Sequence, residues 1–359
     1  MSTLHFPNHP YCMIEKLLQQ TDTYIAHHSA AANANLKSIL HFSNISEQEH
    51  VIFHELVRDK AAINIHFHPD RLTTQQTSII NNLLTSGEYK NQYATNTSAG
   101  SLTAKVGGDR YTWENQLFQD IYGTNLNDRP KYGSLHLTGS ADGASPRFGA
   151  CYFVTKPGLK ERCTFTYGDS YLLPKELGTA NNLAMIYAKL YEDIFTRNTA
   201  LGLTYESIQD FMQRTTAALS SNMIAEPRTH NLDFYIETQI HGPVDLKEDV
   251  TALVADASFK STPYEATFHA IAEQYNLAFS WHPGYALKAA DVPGNFRGIA
   301  TQTFARKIAH NGIINAYVIG QALTNAQIVA DYESLELLQL AKYTWHCLVK
   351  FGTPVHACT

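Results

Sequence analysis

The chain has 359 residues, 44% of them hydrophobic and 17% charged, a folded globular profile rather than a disordered one, and its length allows a full core and two domains. A net charge of −6, with 17 histidines counted neutral, gives no sign of a nucleic-acid-binding surface. The five cysteines (Cys12, Cys151, Cys163, Cys347, Cys358) are odd in number and form no CxxC pair, which argues against a disulfide scaffold and a cysteine zinc site alike.

The N-terminus lacks the basic and apolar regions of a Sec signal, and no apolar run approaches the roughly 20 residues of a membrane helix. The expectation is synthesis and folding in a reducing cytoplasm with no membrane partner. Export by a specialised secretion machine would leave no such mark.

In chain order, residues 1–58 read as helical, with apolar positions at helical spacing over 13–25. Ser46-Glu-Gln-Glu49 has the form of a capping box opening a helix through Val57. A strand is predicted at 62–67 and a helix at 73–84. From 91 to 128 the Gly, Ser, Thr and Asn content predicts loops, interrupted by a helix at 112–122. Short strands follow at 132–137, 148–154 and 163–166, then helices at 180–196 and 205–219. Strands are predicted at 234–240 and 250–255. The remainder, 262–359, reads as largely helical, with Gly/Pro-rich interruptions at 282–284 and 292–295. The pattern is α+β, with short strands in the middle and helical segments at both ends. It divides into 1–58, a core at 59–260, and a mostly helical 261–359.

Four stretches could carry chemistry. The first ends the strand at 62–67 in His66, His68, Asp70 and Arg71; period-two alternation points both imidazoles the same way, and Pro69 stops the strand. The second is Arg129-Pro-Lys-Tyr-Gly-Ser134 with Pro146-Arg-Phe-Gly149, where glycines beside rings allow a backbone or a flat ligand to approach. The third is Thr164-Phe-Thr-Tyr-Gly-Asp-Ser170. The fourth is Phe234-Tyr-Ile-Glu-Thr-Gln-Ile-His-Gly242, where Tyr235, Glu237, Gln239 and His241 share one face. A Glu and a Gln inside an apolar strand are costly unless used or paired; a solvent-facing edge strand is the plain alternative.

HxH on a strand also opens metal-hydrolase sites, with His230, His241 and His282 as further candidate ligands. Against this reading, the sequence has no HExxH and no Cys/His cluster. Dinucleotide GxGxxG, P-loop and GxSxG signatures are absent too.

Taken in order, the HFHPDR, RPKYG, PRFG, TFTYGDS and YIExQ-HG motifs resemble a bacterial domain-of-unknown-function family over about residues 50–260. That family resembles ADP-ribosyltransferase effectors of the CteC type. The resemblance implies an ADP-ribosyltransferase-like core and NAD as substrate. It implies a bacterial effector or toxin that modifies a protein acceptor, with a threonine of host ubiquitin the first to consider. It points to Glu237 and Arg71 as catalytic, and to His68, Tyr132, Arg147, Phe148, Thr166, Ser170 and Gln239 as cofactor-binding, with no metal. Tyr235 stands where arginine-modifying members carry an acidic or amide residue, so arginine is disfavoured as acceptor, and Gln239 is left without an evident role. The alternatives are a metal-dependent hydrolase built on His66 and His68, and a nucleotide-binding interaction protein without catalysis. The helical ends are the expected surface for the acceptor.

Overall fold

The computed structural model describes residues 9–95, 104–220 and 229–355. Its centre is an eight-stranded sheet. The strands are β1 (Ile63–Phe67), β2 (Lys131–Leu135), β3 (Cys151–Thr155), β4 (Cys163–Tyr167), β5 (Leu177–Thr179), β6 (Ile236–Ile240), β7 (Val250–Asp256) and β8 (Ala278–His282), in the order β8-β7-β3-β1-β2-β6-β4-β5. Every neighbouring pair is antiparallel except β7 and β8. A parallel pair needs a crossover, and here the helix Pro263–Gln274 supplies it.

The helices are α1 (His9–His28), α2 (Ala30–Phe42), α3 (Glu47–Lys60), α4 (Ile79–Ser86), α5 (Asp109–Leu117), α6 (Ala184–Arg197), α7 (Ile208–Ser220), α8 (Pro263–Gln274), α9 (Ile299–Ile308), α10 (Ala316–Ala322) and α11 (Ser334–Phe351), with three further helices of four or five residues. The mixed α+β class is as expected. The capping box opens α3: Glu49 N donates to Ser46 Oγ (3.2 Å), and Ser46 N donates to Glu49 Oε2 (2.8 Å).

Directly opposed residues in the ladders share a face, which gives the sheet two unlike sides. One carries Ile63, Ile65, Phe153, Phe165, Ile236, Ile240 and Leu253, all buried in the main core with Phe53 of α3, Phe211 of α7 and Phe268 of α8. The other carries Asn64, His66, Tyr132, Ser134, Tyr152, Thr164, Thr166, Glu237, Gln239 and Asp256. It is roofed by the loop 136–150, by α5 and by α11. Trp345 of α11 donates from Nε1 to the carbonyls of Pro146 (2.9 Å) and Arg147 (3.1 Å). α1 lies along the outer edge of β5, where Thr179 donates to Asp22 Oδ1 (2.9 Å); an uncovered edge would invite further strand pairing.

Four expectations are corrected. The helix expected from 73 begins at Ile79, because Thr73 and Thr77 close a local turn through backbone and hydroxyl bonds that competes with helix. The helix expected at 112–122 runs over 109–117, and Gln119 and Asp120 leave it at positive φ. The strand expected from 148 begins at Cys151, since Pro146–Phe148 forms a 3-10 turn. The stretch 278–282, expected within a largely helical remainder, is the strand β8, so the hydrogen-bonded sheet extends past residue 260.

Candidate functional site

β6 lies between β2 and β4 and all five of its residues are buried, so it is not a solvent-facing edge strand. Its polar residues must therefore find partners within the protein; Glu237 and Gln239 do, while the Thr238 hydroxyl on the opposite face is buried without one. Gln239 donates from Nε2 to Glu237 Oε1 (3.0 Å) and to Thr166 Oγ1 (3.1 Å). Its Oε1 accepts from the Thr164 hydroxyl (2.9 Å). Thr164 Oγ1 also lies 3.0 Å from His241 Nε2, and His241 Nδ1 lies 2.5 Å from the Tyr122 hydroxyl.

A hydroxyl has one proton, so this set runs in one direction. Thr164 gives its proton to Gln239 and must accept from His241 Nε2–H, which leaves His241 Nδ1 accepting from Tyr122. Burial pushes His241 down to about 3, with Arg162 and Lys131 acting the same way, which keeps it neutral as that pattern requires. The amide of Gln239 thereby turns its NH₂ toward Glu237. This is the role the sequence left open.

Glu237 is 5% exposed. Burial pushes its carboxyl up to about 7 and the nearby Asp169 adds to the rise, while Ser170, Gln239 and Arg110 oppose it. A negative charge nearby disfavours ionisation of a buried carboxyl. Tyr132, directly opposite Gln239 across the ladder, donates its hydroxyl to Glu114 Oε1 (2.8 Å). Glu114 on α5 also accepts from Tyr93 (2.9 Å) and pairs with Arg129 (3.0 Å) and Arg110 (3.4 Å). Arg129 lies in the second candidate stretch, whereas Glu114 and Arg110 were not singled out by the sequence. The signal available was the i, i+4 spacing of Arg110 and Glu114.

Of the nine predicted site residues, the structure gathers seven. Glu237, Gln239, Thr166, Ser170 and Tyr132 stand together. Arg147 and Phe148 join them through Tyr235, whose ring meets Phe148 edge-on at 5.3 Å. Arg147 also pairs with Asp233 (2.8 Å). His68 and Arg71 make no hydrogen bond or ion pair with Glu237, which is level with Asn64 rather than with the end of β1; His68 instead neighbours His346 of α11. The His68 ring sits edge-on to Trp345 at 5.1 Å.

Tyr167 faces the opposite side of the sheet and donates to Asp193 of α6 (2.7 Å). The motif glycines serve the chain's own packing. A Cβ on Gly133 would meet Ile63 Cγ2 at 2.6 Å, and one on Gly149 would fall on the backbone of Phe67.

Of the histidines named for a metal site, His66, His241 and His282 have both ring nitrogens engaged and His230 has one. His66 Nδ1 is bonded to the Gly149 carbonyl (3.1 Å) and its Nε2 accepts from Ser145 N (3.3 Å). His282 is held by Ala150 O (2.7 Å) and Gly284 N (3.2 Å), and His230 Nδ1 by Val349 O (2.7 Å). Among the described residues no three His, Cys, Asp or Glu gather as metal ligands would.

Fold and site together define an α+β protein with a buried carboxylate aimed by a hydrogen-bonded polar sheet face. The chain belongs to the family described as "Protein of unknown function (DUF3626)", whose profile matches residues 62–351. No curated protein matches it in sequence. Among the described residues no helix is long and apolar enough to cross a membrane.

Proposed function

We propose that the protein is an NAD-dependent mono-ADP-ribosyltransferase with Glu237 as its catalytic carboxylate. The observation that carries this reading is the Glu237–Gln239 pair: one buried carboxyl, held in a fixed direction by an amide that is itself held by Thr164 and Thr166. Transfer breaks the C1′–N bond between ribose and nicotinamide and forms a bond from C1′ to the acceptor, whose proton is lost. The ribose passes through an oxocarbenium-like state, and a preorganised carboxylate next to it stabilises the developing positive charge. Glu237 is the group for that position. Asp169, near enough to oppose its ionisation, is the group to take the acceptor's proton. Tyr132 and Tyr235 flank the carboxyl on the same sheet face and offer flat apolar walls for the nicotinamide.

The resemblance to CteC-type effectors supports a bacterial effector acting on a host protein, with ubiquitin the first purified acceptor to try and threonine its first candidate side chain. The test is incubation with labelled NAD and a cell lysate, following nicotinamide release and label on protein. The wild-type chain should do both, and Glu237→Gln should lower both by about 100-fold or more while remaining folded. A folded Glu237→Gln protein as active as wild type, or a wild type that leaves NAD intact with every acceptor, would overturn the reading.

A further inference from the structure

Three cationic side chains converge at the last helix, with Asp169 neighbouring both Lys342 and Glu237. Lys342 and His346 lie one turn apart on α11 and so share a face. The Arg297 guanidinium sits over the Tyr343 ring of the same helix (5.6 Å) and over Phe296 (4.8 Å). Arg147 is brought beneath by the bonds from Trp345 to the Pro146 and Arg147 carbonyls.

Among the described residues, Asp233 pairs with Arg147, and Asp169 lies near Lys342. Two polar atoms are left over. His346 is 2% exposed and its Nδ1 has no hydrogen-bond partner, and the buried Nε of Arg297 has none either. His346 is pushed down to about 3 by burial and then by Arg297, Arg147 and Lys342, the response of an imidazole surrounded by positive charge. Like charges packed this closely repel, and a bound polyanion would relieve them. Guanidinium forks with an ammonium are suited to phosphoryl oxygens.

We infer that Arg147, Arg297 and Lys342, with His346, bind the pyrophosphate of a dinucleotide whose ribosyl end reaches Glu237. Asp169 marks the continuity, since it neighbours both Lys342 and Glu237. The inference rests on the reaction proposed above for the identity of the dinucleotide, but binding can be measured without turnover.

Calorimetry on the full chain with inorganic pyrophosphate and with ADP-ribose should show binding of both. Arg297→Ala and Lys342→Ala should each weaken it at least tenfold with an unchanged melting temperature, and Arg297→Lys should recover part of the loss. Glu237→Gln should bind pyrophosphate as wild type does. Inorganic phosphate should bind at least tenfold more weakly than pyrophosphate. Equal affinity for the two anions, no binding by the wild type, or unaltered binding by folded Arg297→Ala and Lys342→Ala would overturn the site. If the variants lose ADP-ribose while NAD is never cleaved, the site stands and the reaction falls. If both variants cleave NAD with wild-type KM, the reaction stands and the site falls.

Discussion

Glu237 holds a proton that an exposed glutamate would have lost. Its carboxyl ionises near 7 in the folded chain, against a usual value of 4.5, so folding takes up a proton between those limits. By linkage, the stability tied to the protonated form is complete below about 4.5 and is lost as pH rises through about 7. Glu237→Gln keeps the neutral shape and removes this loss. The variant should therefore match wild type near pH 4.5 and exceed it above pH 7, by at most about 3 kcal/mol for a shift of this size. Chemical denaturation at pH 5 and pH 8 measures the difference, and an equal effect of the substitution at both would show that the carboxyl is not charged on cost in the folded state. Transfer runs the other way: the oxocarbenium needs the ionised carboxylate, so turnover should rise as pH increases through about 7. A nicotinamidium ring bound nearby would lower that midpoint, since an opposite charge favours the ionised form.

At the scale of elements, the packing of one motif glycine is decisive. Gly149 is extended rather than left-handed, yet any side chain there meets the Phe67 backbone at N, C and O, atoms that cannot rotate away. Gly149→Ala should either prevent folding or lower stability by about 3 kcal/mol, the upper range for overpacking, read from a urea midpoint. A neutral outcome would mean that β1 and the 3-10 turn 146–148 are not pressed together as described.

Local signals were legible in the sequence because they are short-range. The Ser46 capping box needs four residues, and the alternation in β6 needs seven. Pairing partners were not legible. β6 reads as an edge or a centre equally well until β2 and β4 are known to flank it, and those strands lie about 100 and 70 residues away in the chain. β8 was hidden by Pro283-Gly284 directly after it, which reads as a break in a helix. The site was legible in the same measure. Glu237 and Gln239 stand out on one strand, whereas Glu114 and the α11 cations look like ordinary helix-surface charges until the sheet shows what they face.

On the scale of the whole molecule, buried histidines dominate the acid response. His50 and His136 are pushed down to about 4, and His66, His241 and His346 to about 3, with burial the largest cause in each. An unfolded chain protonates them near 6.5, so stability held above that value is lost progressively as pH falls toward their folded values. Glu237 and Asp70, both raised to about 7, contribute in the opposite sense but are fewer. The denaturant midpoint should fall between pH 7 and pH 5; a midpoint that holds or rises would mean that the imidazoles are not shielded.

The polar face of the sheet also has a direction, and the residue that sets it packs against a helix outside the family's matched stretch. Leu17 of α1 packs with Phe118 and Tyr122, and Tyr122 is the first donor in the series that passes through His241 and Thr164 to Gln239 and ends on Glu237. Remove that first hydroxyl and His241 is free to adopt its other tautomer; Thr164 can then reverse, and Gln239 can present its carbonyl instead of its NH₂. A carboxylate facing a carbonyl must hold its proton. Tyr122, packed under the N-terminal helix, therefore acts as the latch on a compass needle: its hydroxyl sets which way every dipole in the row points, and so which charge the carboxyl at the far end can carry.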